Sequence, residues 1–313
     1  MRGGTVVNGT GVKRSLFSGH RGDKIFSLVL LLPAIITTMV FILIPVVDSI
    51  YRSFLDYRVR NIISGDPGVW NNFANYIKLF TNGKLGPAML NTIVFVFGVV
   101  LAQFVFGMAL ALILNTNIKA SRFIRSIMMV PWVVPTLISG LVWMWMFQPQ
   151  YGLVKFLVGV ITGGEVTDFA ILNNPSTAMF GVSCAALWKQ IPLGTLLLLA
   201  GLANVPDDML EAAKIDGANA VQRFFKITMP YMKSVIKVTV SMSIIENFKQ
   251  FPLFWTMTGG GPNNSTTTMA ILSYREAFVS NNFGSGAAVT TVWMLMMIVV
   301  VFIYNRIFRA TDM

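Results

Sequence analysis

Residues 89–114 read MLNTIVFVFGVVLAQFVFGMALALIL, 26 positions without one charged side chain. As a helix rising about 1.5 Å per residue, this stretch outruns the roughly 30 Å of hydrocarbon in a bilayer. Working outward, four more stretches have the same character: residues 25–47, 126–147 (holding Pro131 and Pro135), 177–201 (interrupted by Lys189) and 284–305. A sixth, residues 235–257, is apolar but carries Lys237, Glu246 and Lys249. Lys237 stands near an end, where its stem lets the ammonium reach the interface. In chain order this segment is the fifth span. The pattern predicts an all-α integral membrane protein with six transmembrane helices.

Composition agrees. Of 313 residues, 55% are hydrophobic and 12% charged, with a mean hydropathy of +0.67. A soluble domain of this length carries about 25% charged residues. The formal net charge of +11 comes from 24 Lys+Arg against 13 Asp+Glu. These cations lie between the apolar segments rather than in one run, which fits anionic lipid and positive-inside placement and argues against nucleic-acid binding. Counted on alternate sides, 15 fall with the two termini and 7 on the opposite side. Both termini are therefore expected in the cytoplasm of a bacterial or archaeal cell, with the chain in its inner membrane. The first span is too long for the apolar region of a cleavable signal peptide, and none is expected. Cys184 and His20 are the only residues of their kinds. They provide no disulfide and no metal constellation. The 19 methionines read as packing or lipid-facing residues rather than as a path for a soft cation.

The expected organisation is a basic tail (1–24), a six-span transmembrane domain (25–308) with a cytoplasmic loop at 204–233, and a short tail (309–313). The loop between residues 51 and 88 contains NNFANYIKLF, expected as a short surface helix. The one at 148–176 is rich in Gly and Asn and reads as irregular.

The segment NVPDDMLEAAKIDGANAVQRFFKITMPYMKSVI, residues 204–236, is more than a tether. Asp208 and Glu211 have capping-box spacing, and Gly217 is placed to end the first helix in a left-handed conformation. Asn219 can cap a second helix through Ile227, with Pro230 marking the turn into the next span. Met209, Leu210, Ala213, Val221, Phe224 and Phe225 give this bracket an apolar face. Lys214, Arg223 and Lys226 give it a basic one. Such a face reads as a docking site for a partner, the alternative being a helix pair lying on lipid headgroups.

Glu211-Ala212-Ala213, with Gly217 four residues after Ala213 and Pro230 thirteen after Gly217, resembles the EAA motif of the permease subunits of binding-protein-dependent ABC importers. The resemblance covers nearly the whole chain. It is similar to the carbohydrate, maltose-permease-like branch in Val205-Pro206-Asp207-Asp208, Asp216-Gly217-Ala218 and Thr258-Gly259-Gly260-Gly261-Pro262. The resemblance implies uptake of a sugar or oligosaccharide, with Glu211, Ala212, Ala213, Asp216 and Gly217 coupling to a separate ATPase dimer. It implies further partners: a second, similar permease and an extracytoplasmic solute-binding protein. The chain lacks a G-x-x-x-x-G-K-[ST] loop, the nearest string being Asn82-Gly83-Lys84-Leu85. It is accordingly not expected to be an enzyme or to hold a cofactor or metal; ATP and Mg belong to the partner ATPase.

Polar groups at membrane depth usually face a partner or a watery path. Trp188, Lys189 and Gln190, before Pro192, and Glu246, Asn247, Lys249 and Gln250, before Pro252, are the candidates for the solute path. The amides and Trp188 suit a neutral sugar. Lys189 and Lys249 either pair structurally, Lys249 with Glu246 at i,i+3, or mark an anionic solute such as a uronate oligosaccharide or glycerol phosphate. A secondary transporter is the more distant alternative; it would show paired repeats with matching buried carboxylates, which this sequence lacks.

Overall fold

A computed structural model describes residues 20–116, 121–164 and 169–310. Most of the basic tail expected at 1–24 and the last three residues lie outside that set. The described chain is mostly helical and divides into two units, one ending at Tyr51 and the other starting at Arg52.

The first unit comprises α1 (His20–Thr38), a π-helical turn (Met39–Leu43) and α2 (Ile44–Arg52, whose last residue opens the second unit). Together they carry an uninterrupted apolar helix over Phe26–Arg52. With Phe41 and Leu30 exposed, it is the kind of surface that lipid solvates.

The second unit opens with β1 (Leu55–Asp56), α3 (Val59–Ser64), β2 (Val69–Trp70) and α4 (Ala74–Thr81). β1 and β2 pair antiparallel, Leu55 opposite Trp70. The short helix expected in NNFANYIKLF is thus present as α4, but a small hairpin precedes it. Next come α5 (Leu85–Leu114), α6 (Ser121–Met128), α7 (Val130–Val133), α8 (Thr136–Met146), α9 (Leu153–Thr162) and α10 (Ala178–Leu202). The chain continues through α11 (Asp207–Ile215), α12 (Ala220–Arg223), a π turn (Phe224–Thr228), α13 (Met229–Tyr231), α14 (Lys233–Phe248) and α15 (Pro252–Met257). It closes with α16 (Met269–Tyr274), a π turn (Arg275–Val279) and α17 (Phe283–Ala310).

α5 is the mast of this unit. Its first turns, with Leu85 and Ala88, pack with Met269, Leu272, Ala288 and Val289. Its middle, with Phe95, Val96 and Val99, meets Val182, Ala185, Ile244, Phe248 and Phe254. Its end, with Met108, Ala111 and Leu114, meets Leu198, Leu202, Met232 and Ile236. Small residues set the closest approaches: a Cβ on Gly107 would lie 3.5 Å from the backbone of Thr195, the usual way for helices to approach in lipid.

Among the described residues, four helices are long and apolar enough to cross a membrane, or five if one bent pair counts as a span. Two expected spans differ. The third, 126–147, is broken between α7 and α8 with a bend of 94°. Val134 is extended (φ −61°, ψ 132°) because a residue before proline avoids the helical region, and Pro135 has no N–H to continue the ladder. The fifth, 235–257, stops at Phe248 and restarts at Pro252, so α14 has only 16 residues. Pro192, by contrast, sits inside an uninterrupted α10. The region expected to be irregular contains α9, because Gly152 and Gly163 (φ 68°) bracket an apolar run as its two caps.

Gly284 opens α17 directly against β1: an added Cβ would lie 2.2 Å from the Leu55 carbonyl oxygen. Gly98, mid-α5, would meet nothing within 4 Å. Gly284→Ala should therefore destabilise the protein by about 1–3 kcal/mol through overpacking, whereas Gly98→Ala should leave it unchanged or more stable. Thermal unfolding of the two variants in detergent checks this, and equal melting temperatures would contradict it.

Candidate functional site

Three helices bring polar side chains together at the middle of the second unit. Gln103 is a polar residue deep within α5's apolar run. Its Nε2 donates to the Gln190 carbonyl of α10 at 3.2 Å, and its Oε1 accepts from Ser243 Oγ of α14. Gly194 makes room for it, since a Cβ there would lie 3.0 Å from Gln103 Nε2. Gln190 and Asn247 then exchange side-chain amide bonds, Nε2 to Oδ1 at 3.0 Å and Nδ2 to Oε1 at 2.9 Å. Asn247 Nδ2 also donates to the Ser243 carbonyl at 2.9 Å. Gln103, Ser243 and Asn247 are buried, so each amide needs these partners.

Beside this network lies a cavity of about 530 Å³ between α10 and α14, closed on one side by the broken α7–α8 segment. Of the sequence candidates, Lys189, Gln190, Glu246, Lys249 and Gln250 line it. Trp188 does not: one residue along the helix from Lys189, it points elsewhere and meets Trp143 of α8 edge-on at 6.1 Å. Asn247 lies behind the wall as a strut for Gln190. The aromatic wall is Trp132, and Gln103, Thr136, Thr239 and Ser243 supply further polar lining, none of them singled out from sequence. For Gln103 a signal existed: an amide near the centre of an uncharged span.

Both lysines have partners. Lys189 Nζ donates to the Trp132 carbonyl at 3.1 Å and to that of Val134, capping backbone freed by the proline break. Lys249 Nζ contacts Glu246 Oε1 at 2.7 Å as an exposed i,i+3 pair.

The polar bracket lies between α10 and α14. α11 starts after Pro206, which has no side-chain cap; Asp207 and Asp208 sit in its first turn, so the capping box expected at Asp208 is absent. The box occurs instead on the second helix, where Asn219 Oδ1 accepts from Gln222 N and Gln222 Oε1 accepts from Asn219 N, both at 2.8 Å. Gly217 ends α11 at φ 81°. Pro230 does not mark a turn: it lies in α13, and the helical path bends at Met232 (φ −80°, ψ 0°). The apolar face divides in two. Leu210 and Phe224 pack toward Leu198, Leu202 and Met232, whereas Ile215, Val221 and Phe225 stay exposed, Ile215 at 86%. Glu211, Ala212, Asp216 and Gly217 are exposed and Ala213 is half-buried.

The fold and site define a multi-helix membrane protein with a polar cavity at depth and an exposed helical bracket between two apolar helices. Residues 103–312 match the family of binding-protein-dependent transport system inner membrane components. The chain belongs to this family and is a permease subunit of an ABC importer. It is 31% identical to the trehalose/maltose transport system permease of Thermococcus litoralis, over 90% of this chain and 92% of that one. It is equally identical to the sulfoquinovosyl glycerol transport system permease of Agrobacterium fabrum (93% and 92%) and the sn-glycerol-3-phosphate permease of Pectobacterium atrosepticum (85% and 88%). Among solved structures it superposes on a bacterial ABC transporter that imports the acidic polysaccharide alginate, with a TM-score of 0.76, 20% identity and coverage of 93% and 96%.

Lys189→Met leaves two carbonyls without their donor and should cost about 1–3 kcal/mol of stability. Lys249→Met breaks only an exposed pair, a loss of about 0–1 kcal/mol. Thermal melts in detergent separate them; equal losses would mean that Lys189 does not hold the broken span.

Proposed function

We propose that the chain forms the translocation path for a neutral saccharide, handed over by an extracytoplasmic binding protein and driven by a separate ATPase. One observation carries the solute class: the cavity wall offers amides, hydroxyls and one indole, while both of its lysines are engaged within the protein. Saccharide hydroxyls match such neutral donors and acceptors, and an indole face suits a pyranose ring. The name of one relative, a trehalose/maltose permease, supports the class, whereas the sulfoquinovosyl glycerol of another carries a sulfonate and belongs with the second reading. A second reading, an anionic saccharide or glycerol phosphate, draws on two lysines against one glutamate in the wall and on the glycerol-phosphate relative.

In this reading the chain crosses an inner membrane six times, with both termini cytoplasmic. α6–α8 make the third crossing, bent ahead of Pro135, and α14 with α15 the fifth, interrupted ahead of Pro252. The transmembrane domain occupies 25–308, and the loop 204–233 faces the cytoplasm between basic tails at 1–24 and 309–313. Glu211, Ala212, Ala213, Asp216 and Gly217 form the face received by the ATPase dimer, with Ile215, Val221 and Phe225 as its exposed apolar contacts. Leu210 and Phe224 tie this bracket to the ends of α10 and α14, so a push on it is passed to the helices that wall the cavity. ATP and Mg bind in the ATPase, and this chain holds neither. A second, similar permease completes the path.

Co-reconstitution with the ATPase, the second permease and the binding protein tests this. ATP-dependent uptake of tritiated maltose or trehalose is the expected outcome; saccharide uptake without nucleotide would contradict it. Gly217→Val forces a β-branched residue into a left-handed conformation and should abolish coupled uptake while leaving the protein folded. Full uptake by this variant would remove the bracket from the coupling path.

A further inference from the structure

A buried hydroxyl on a helix commonly turns back on its own backbone. Thr92, Ser139 and Thr195 do so, each donating to the carbonyl four residues earlier, at 2.7, 3.2 and 2.9 Å. Thr239 of α14 does not. The residue is 7% exposed, its Oγ1 is buried, and no group among the described residues is its partner. Away from water, such a hydroxyl costs free energy until something meets it.

Room for a partner lies beside it. Between α5, α10 and α14 is a crevice of about 10 Å³, walled by Val100, Phe104 and Leu198 and by three polar residues, Gln103, Thr239 and Ser243. That is about the space one water molecule needs, and far too little for a sugar ring. All three polar residues have bonding capacity left. Gln103 Oε1 accepts from Ser243 Oγ and its Nε2 donates to the Gln190 carbonyl, so the amide keeps one lone pair and one N–H. Ser243 Oγ accepts in turn only a long bond from Asn247 Nδ2, at 3.4 Å, and keeps a lone pair. Thr239 has its O–H and both lone pairs to offer.

We infer that one ordered water occupies this crevice, held by Thr239 Oγ1, Gln103 and Ser243. It supplies the partner that Thr239 lacks within the protein, and it gains the three or so bonds that a buried water makes. Thr239 stands one turn before Ser243, toward the bracket end of α14. The water therefore carries the polar seam between α5 and α14 one turn further than the direct side-chain bonds do. By turning, a water exchanges donor for acceptor, so the seam tolerates a small shift of α14 there without stranding a polar group. The site holds water whichever solute is carried, and so stands apart from the saccharide reading.

The test is a density map of the assembled importer, with ATPase, second permease and binding protein, in lipid nanodiscs at a resolution that shows ordered waters. One peak is expected in the crevice, about 2.7–3.0 Å from Thr239 Oγ1, Gln103 and Ser243. Thr239→Ser keeps the hydroxyl and should keep the peak. Thr239→Val keeps the shape, removes the hydroxyl and should lose the peak. Thermal unfolding of the full chain in detergent adds a reading with a sign. Removing a hydroxyl that the water satisfies should lower the melting temperature of Thr239→Val by about 2 °C. Removing one that nothing satisfies would raise it. An empty crevice in the wild-type map, a peak that survives Thr239→Val, or a Thr239→Val chain melting at or above wild type each overturns the site.

Discussion

A polar side chain held away from water must find its partners within the protein, and in lipid that requirement has no exceptions close at hand. The network of Gln103, Gln190, Ser243 and Asn247 answers it by joining α5, α10 and α14 with side-chain amides and a hydroxyl. Apolar packing alone leaves helices in lipid weakly specified, because the tails solvate them as well as each other. These amides fix which faces of the three helices meet. The cavity opens where they do.

Proline has different outcomes along this chain, and the difference is physical. Pro192 stays within an unbroken α10. Pro135 follows an extended Val134, and the segment turns by 94°, presenting carbonyls that Lys189 caps. Pro252 restarts a helix after a three-residue gap. Two of the cavity's walls thus come from broken helices, and irregular backbone at such depth is tolerated where protein or a watery space satisfies it.

Much of this was legible in the sequence. The apolar stretches 89–114, 177–201 and 284–305 correspond to α5, α10 and α17 within a few residues, because an uncharged run of that length has one stable solution in lipid. Gly217 was readable from its place after a helix-forming run, and it adopts φ 81°. Depth picked out Lys189, Gln190, Glu246, Lys249 and Gln250, which the fold gathers. Rotation about a helix axis was not legible: Trp188 and Asn247 are neighbours of lining residues yet face elsewhere. Gln103 carried a signal as an amide within an uncharged span, but Trp132 joins the site through a pairing between segments far apart in sequence, which local pattern does not encode. The capping box moved from Asp208 to Asn219 because Pro206, with its fixed φ, already sets the start of α11.

The account centres on the cavity beside the Gln190–Asn247 pair as the station of the transported solute. Cryo-electron microscopy of the assembled importer, arrested with a transition-state nucleotide analogue and loaded with a saccharide-bound binding protein, tests it most directly. The account predicts ring-shaped density within hydrogen-bond distance of Gln190, Thr239 and Ser243. Lipid tails filling that volume, with the saccharide held elsewhere in the assembly, would contradict it.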